Sequence, residues 1–283
     1  MTIFEVALFI KYSVGTMRKK KSAFLYLYTL VFISVNSLAQ DAPNADDAAL
    51  AKATQNPLAA MYSLPLQNNT TYGVGKYNRT QNVLNVQPVI PISFKKFNLV
   101  NRIIVPIITQ PFSNEDKSST GVGDVVYTAW FSPTKASKLT WGVGPVMQIP
   151  TSSKLDEFGT REFGIGPSMV ALKTINKWVA GFVIQNVWTF GDVKENKFLF
   201  QYFVNYNLPK AWYLVTGPIL TANWNAEDDM KWVVPVGGGI GKVFRIGNQP
   251  INVNAHMYYN ALRPDNVGAM ASRLQVQFLF PKK

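Results

Sequence analysis

The chain contains no cysteine and only one histidine, His256. The absence of cysteine excludes disulfide bonds, Cys-ligated zinc and a lipid-modified N-terminal cysteine. A single histidine leaves a transition-metal site without its usual ligands, so no cofactor is expected. Long apolar runs are also missing, because no segment of the expected mature chain reaches the ~18 to 20 residues of a membrane-spanning helix.

The first 39 residues have the pattern of a cleaved signal peptide. A basic run, residues 18–21, precedes an apolar core at residues 23–35, and Ser37-Leu38-Ala39 is a small-x-small cleavage site. Met17 directly precedes the basic run and is therefore the expected true start. The alternative, a membrane anchor, needs a longer apolar run. Export also argues against a nucleic-acid partner, although the formal net charge is +12.

What the chain does have is a two-residue alternation of apolar and polar side chains. In the last strand the apolar face is Leu274, Val276, Phe278 and Phe280, and the polar face is Arg273, Gln275 and Gln277. The same alternation recurs along most of the chain, and helical spacing fits these runs less well. It predicts an all-β fold, a transmembrane antiparallel up-and-down β-barrel of about twelve strands over residues 61–283.

The connections between the expected strands alternate in charge. Short basic turns, such as Pro209-Lys210, are followed by longer loops that carry the acids, such as Glu227-Asp228-Asp229. Successive turns of an up-and-down meander emerge at opposite ends, so the acidic loops are expected outside and the basic turns in the periplasm. Residues 40–60 are polar and Ala-rich, and we expect a periplasmic lead-in or a plug there.

Polar side chains on the inner faces of these strands are the candidate lumen-lining residues. They are Arg102, Asp124, Gln148, Gln201, Asn205, Asn252, Asn254, His256, Arg273, Gln275 and Gln277. The arginines either face a solute path, which would then weakly prefer anions, or pair within the wall, for instance with Asp124. Trp130 and Phe203 also occupy strand positions that alternation assigns to the inner face.

The opposite faces carry the aromatic residues expected to contact lipid. They are Trp141, Trp178, Phe182, Phe198, Phe200, Tyr202, Trp212, Phe278 and Phe280. Trp141, Trp178, Trp212 and Trp232 lie near strand ends, where an aromatic girdle belongs. The expected partners are outer-membrane lipids and lipopolysaccharide, the barrel-assembly machinery and a small-molecule solute, while the oligomeric state is open.

Two motifs suggest other chemistry. The glycines of residues 237–241 resemble a phosphate loop, but the next residues run into a turn where a phosphate loop needs a helix. His256 with a Ser and an acid would make a barrel-embedded hydrolase, although no Gly-x-Ser-x-Gly accompanies it. Proline removes a ladder donor, so we expect bulges or strand ends at Gly144-Pro145, Gly166-Pro167 and Gly217-Pro218.

Three features of the sequence resemble a bacterial outer-membrane barrel family. They are the strand start Gly121-Val122-Gly123-Asp124, the Gly-Pro strands and the segment Gln87-Pro88-Val89-Ile90-Pro91. It is the putative meta-pathway phenol-degradation type, of which some members carry the name neuromedin U. The resemblance covers roughly residues 56–283 and brings no catalytic residues with it. It implies a porin-like channel or transporter for small, hydrophobic or aromatic solutes in the outer membrane of a Gram-negative bacterium. The alternative is a non-conducting barrel with a structural or surface-interaction role, or a barrel-embedded hydrolase.

Overall fold

The computed structural model of the protein describes residues 45–111, 117–135, 139–155 and 157–281. The predicted signal peptide with its start at Met17 lies outside the described residues, as do the acids Glu115, Asp116 and Asp156. None of the helices in the described part of the chain is long and apolar enough to cross a membrane.

One helix and fifteen strand segments make up the described chain. The helix is α1 (Ala45–Thr54), and a single 3₁₀ turn, Pro209–Ala211, precedes β11. The strands are β1 (Tyr62–Val74), β2 (Arg79–Val86), β3 (Val89–Ser93), β4 (Phe97–Pro111), β5 (Ser118–Val122), β6 (Val125–Pro133), β7 (Thr140–Ile149), β8 (Phe163–Ile175), β9 (Trp178–Phe190), β10 (Asn196–Asn207), β11 (Trp212–Thr216), β12 (Ile219–Asn223), β13 (Trp232–Ile246), β14 (Gln249–Leu262) and β15 (Met270–Phe280).

The segments form a closed antiparallel barrel of twelve strands. The segments β2 and β3 lie between the same two neighbours, as do β11 and β12, while β5 and β6 both pair with β4. Each of these three pairs therefore counts as a single broken strand. Closure comes from β1 and β15, which pair from Tyr62 opposite Phe280 to Tyr72 opposite Met270. The predicted fold class, an all-β antiparallel barrel of about twelve strands, is therefore confirmed.

Successive connections lie at opposite ends of the barrel. One end carries the two chain ends of the barrel, Tyr62 and Phe280, together with short turns such as that between β13 and β14. The other end carries the longer connections, for instance residues 150–162 and 224–231. We call these the turn end and the loop end.

The three broken strands are interrupted at the motifs that the sequence singled out. Gln87-Pro88 separates β2 from β3, and Gly217-Pro218 separates β11 from β12, without a change of register on either neighbour. Gly123-Asp124 separates β5 from β6 and does shift the register by one residue, since Ile107 faces Val122 while Ile104 faces Val126. This last site is a bulge, which inserts an extra residue into one strand.

Gly144-Pro145 and Gly166-Pro167 differ from the expectation, because they neither end a strand nor shift its register. Pro145 faces Pro167 inside the continuous pairing of β7 with β8. A Cβ on Gly144 would lie 1.8 Å from the carbonyl oxygen of Ala129, and one on Gly166 1.8 Å from that of Asn186. Glycine therefore lets the neighbouring strand approach closely beside a proline that donates no hydrogen bond.

Exposure alternates along the strands as a barrel wall requires. In β14, Asn252 and His256 are 3% and 6% exposed, while Met257 and Tyr259 are 52% and 51% exposed. Aromatic rings gather on the outward face near both ends. Trp178 contacts Tyr206 at the turn end, and the loop end has a cluster of Phe198, Trp224 and Trp232. This is the girdle arrangement of membrane barrels.

Candidate functional site

The N-terminal segment, residues 45–60, lies inside the barrel. Leu50 and Ala51 of α1 are buried against the inward-facing Tyr213, Val243 and Leu279. Farther along, Leu58 is buried against Trp130, Val170 and Val183 on the opposite part of the wall. The segment therefore crosses the lumen from β11, β13 and β15 to β6, β8 and β9.

A reciprocal amide pair fixes the segment to the wall. Gln55 Nε2 donates to Asn207 Oδ1 at 2.9 Å, and Asn207 Nδ2 donates to Gln55 Oε1 at 3.2 Å. Asn207 is the last residue of β10, so the contact lies at the turn end.

Three cavities lie along the lumen in the described part of the chain, and two of them are bounded by this segment. The outer cavity, about 310 Å³, lies toward the loop end beside Asn260 and Val267. The middle cavity, about 180 Å³, is bounded by Thr54, Gln55 and Pro57 of the segment and by polar residues of the wall. The inner cavity, about 140 Å³, reaches the turn end at Met61.

The cavities adjoin one another at two arginines. Arg273 lines both the outer and the middle cavity, and Arg102 lines both the middle and the inner cavity. The cavities thus form a series along the barrel, and each neighbouring pair shares one arginine residue in its lining. The sequence candidates that line this series are Arg102, Gln201, Asn205, Asn252, Asn254, His256, Arg273, Gln275 and Gln277.

A hydrogen-bonded row occupies the wall of the middle cavity. Tyr213 donates its hydroxyl to Asn252 Oδ1 at 2.7 Å and accepts from Asn254 Nδ2 at 3.3 Å. His256 continues the row through Nε2 to Asn254 Oδ1, at 2.9 Å, and through Nδ1 to the Tyr258 hydroxyl, at 2.7 Å. Nε2 of His256 is therefore hydrogen-bonded to an amide and Nδ1 to a phenol.

The two arginines are held differently. Arg273 donates from Nε to Asn69 Oδ1 and from Nη1 to the carbonyl oxygen of Gly217, each at 3.0 Å. Arg102 has its guanidinium 4.7 Å from the ring centre of Trp130, and its Nε is shielded from solvent without a hydrogen-bond partner. Neither arginine forms a salt bridge among the described residues.

Asp124 and Gln148 are the sequence candidates that lie outside the three cavities. The Asp124 carboxylate accepts hydrogen bonds from the backbone N–H groups of Thr151, Ser152 and Arg161, at 3.0 to 3.2 Å. Gln148 Nε2 lies 3.4 Å from the same carboxylate. Asp124 therefore holds the loop of residues 150–162 at the loop end, and the pairing with Arg102 considered from the sequence is not formed.

This role explains the glycines around Asp124. A Cβ on Gly121 would lie 2.4 Å from the Phe158 ring, and one on Gly159 would lie 2.3 Å from Asp124 Oδ2. The loop can fold onto the strand only because these side chains are absent. The motif thus shapes the loop end, and its residues are not part of the lining of the three cavities.

Some cavity residues were not among the sequence candidates. Gln67 and Tyr213 line the middle cavity, and their inward parity in β1 and β11 was available as a signal. Gln55 also lines it, but no periodic pattern in the N-terminal segment marks that position. Within the described residues, no cluster of His, Cys, Asp or Glu is arranged to hold a metal ion.

No protein-family model matches the chain, and no curated protein matches it. Among solved structures, the COG4313 outer membrane channel from Pseudomonas putida F1 is similar, with 14% identity, a TM-score of 0.59 and coverage of 78% of this chain and 95% of that one. Outer membrane phospholipase A from Escherichia coli matches at 11% identity and a TM-score of 0.40, over 78% of this chain and 96% of its own. The first likeness shows a shared fold, that of a bacterial outer-membrane barrel, which agrees with the predicted location. The specific family that the sequence resembles stays a prediction.

Proposed function

We propose that the protein is an outer-membrane channel that passes small solutes along the lumen. The observation that carries the proposal is the series of three cavities from the loop end to the turn end, in which neighbouring cavities share Arg273 or Arg102. Polar side chains with inward parity line this series, as they do in channels. Similarity to a structure described as an outer membrane channel supports the same proposal at the level of fold.

The size of the cavities limits the solutes. A dry engineered cavity of roughly 150 Å³ holds one benzene molecule. The middle and inner cavities, about 180 and 140 Å³, therefore accommodate molecules of about that size one at a time. The hydrophobic or aromatic solutes that the family resemblance implies fit this limit, provided that they are small.

A non-conducting barrel is the second candidate, and the position of the N-terminal segment favours it. Leu50, Ala51 and Leu58 are buried in lumen contacts, so a solute passes only around the segment or after it moves. The hydrolase alternative has less support, because His256 contacts Asn254 and Tyr258 through its two ring nitrogens. A hydrolytic triad needs a serine hydroxyl and an acid at those positions.

Swelling of liposomes that contain the purified protein tests the channel directly. We expect swelling with neutral solutes of about glycerol size and much slower swelling with disaccharides, because the cavities are small. Protein-free liposomes provide the control. Heat-modifiable gel migration shows whether the barrel is folded. If the folded protein produces no swelling with any solute, the channel is contradicted and the non-conducting barrel is favoured.

A further inference from the structure

The middle cavity contains two arginine side chains and no acid. Arg102 and Arg273 line it, and none of the described residues lining the middle, outer or inner cavity is Asp or Glu. The acid among the sequence candidates, Asp124, is bound to backbone N–H groups of the loop. The two positive charges in the cavity are therefore not balanced by the described parts of the protein.

The lack of a balancing negative charge matters more for Arg102 than for Arg273. The Nε of Arg102 has no hydrogen-bond partner among the described residues. Its guanidinium lies over the ring of Trp130, whose own indole N–H donates to Ser168 Oγ at 2.9 Å. A cation shielded from water is costly unless it is paired and hydrogen-bonded. An anion in the middle cavity removes that cost, and the guanidinium fork presents two parallel N–H groups that match a carboxylate.

The remaining lining of the middle cavity indicates the rest of the ligand. Val183, Phe203 and Val215 supply an apolar wall, while Gln201 and Asn205 supply neutral polar groups. The volume, about 180 Å³, suits a single ring. A small molecule with one carboxylate and one ring-sized apolar body offsets one of the two positive charges, can contact both guanidinium groups, and fits the apolar wall.

We infer that the middle cavity is a binding site for a small organic monocarboxylate, held by Arg102 and Arg273. The inference deepens the proposed channel and rests on it, because the carboxylate reaches the cavity along the lumen. It names the class of solute that the channel selects. Arg273 uses neutral acceptors, Asn69 and the Gly217 carbonyl, to fix its position, and its charge stays available to the ligand.

Isothermal titration calorimetry of the purified protein in detergent tests the site, with benzoate as the probe and neutral benzamide as its match. We expect saturable binding of benzoate and at least about tenfold weaker binding of benzamide, since a hydrogen bond to a charged group is worth about that factor. Arg102→Gln and Arg273→Gln should each weaken benzoate binding about tenfold or more. Arg79→Gln removes the same charge at the loop end, where Arg79 contacts Lys117 and Ser118, and should leave binding unchanged.

Equal affinity for benzoate and benzamide, or wild-type benzoate affinity in both cavity variants, overturns the inference. If either glutamine variant fails to fold, the benzoate and benzamide comparison in the wild-type protein still decides. Liposome swelling keeps the two proposals apart. Swelling without benzoate binding contradicts the carboxylate site and leaves the channel, whereas benzoate binding without swelling supports the site and contradicts the channel.

Discussion

Ile184 provides a quantitative test of which face of the wall meets lipid. It is the central residue of β9 (Trp178–Phe190), six residues from either end. With about 3.3 Å per residue and a tilt of about 40°, it lies about 15 Å along the barrel axis from each end. Since the apolar band of such barrels is about 25 Å tall, Ile184 is close to the midplane.

Replacing Ile184 by Arg places a charge where no water and no partner is available. Its cross-strand neighbours are Met169 and Phe200, which offer only apolar surface. We expect Ile184→Arg to lower the free energy of unfolding by about 2 to 4 kcal/mol, the cost of Arg on the lipid face at the bilayer midplane. Folding into lipid vesicles at a series of denaturant concentrations measures this difference.

The matched control is Gln201→Arg, at nearly the same depth on the next strand. Gln201 faces Val183 across the pairing of β9 with β10 and lines the middle cavity. Gln201→Arg should lower the free energy of unfolding by less than about 1 kcal/mol in high salt, because the new charge enters a polar cavity and salt screens its repulsion from the arginines. Equal costs at the two positions refute the assignment of the faces, because a one-residue shift of register exchanges them.

Two further variants test local features of the wall. Gly144→Ala should lower the yield of the heat-modifiable folded form, because its Cβ would meet the carbonyl oxygen of Ala129 at 1.8 Å. The control Gly217→Ala places its Cβ within 3.6 Å of no atom and should fold normally. Equal yields of the two variants contradict the close approach at Gly144. Asp124→Ala should remove about 1 to 3 kcal/mol from the local stability of the loop whose N–H groups it binds, and trypsin should cut that loop faster. Asp192→Ala, the same charge change in another loop, should not alter that cleavage, and unchanged cleavage in Asp124→Ala refutes its role.

The barrel could be predicted from the sequence because alternation reports directly on the two faces of each strand. In β14, the order Asn252, Val253, Asn254, Ala255, His256 already separates lumen from lipid, and the structure places the same residues on the same faces. The count of about twelve strands followed from the same alternation, which recurs along most of the chain.

The interior of the lumen could not be predicted in the same way. Helix α1 has a weak pattern, with Leu50 as its only large apolar residue, so nothing local indicates which surface covers it. Its position depends on the long-range contacts of Leu50 with Tyr213 and Leu279. The sequence also could not predict that Asp124 binds a loop and does not pair with Arg102, because an acid beside a strand is compatible with either arrangement.

Single-channel conductance in planar bilayers tests the central claim most directly, that a path for small solutes runs past the N-terminal segment. The comparison is between the intact protein and a variant lacking residues 45–58, both shown to be folded by heat-modifiable migration. We expect small, resolved current steps from the intact protein and severalfold larger steps from the variant, because Leu50, Ala51 and Leu58 fill the lumen. An intact protein that carries no current, or two proteins with the same conductance, would contradict the account.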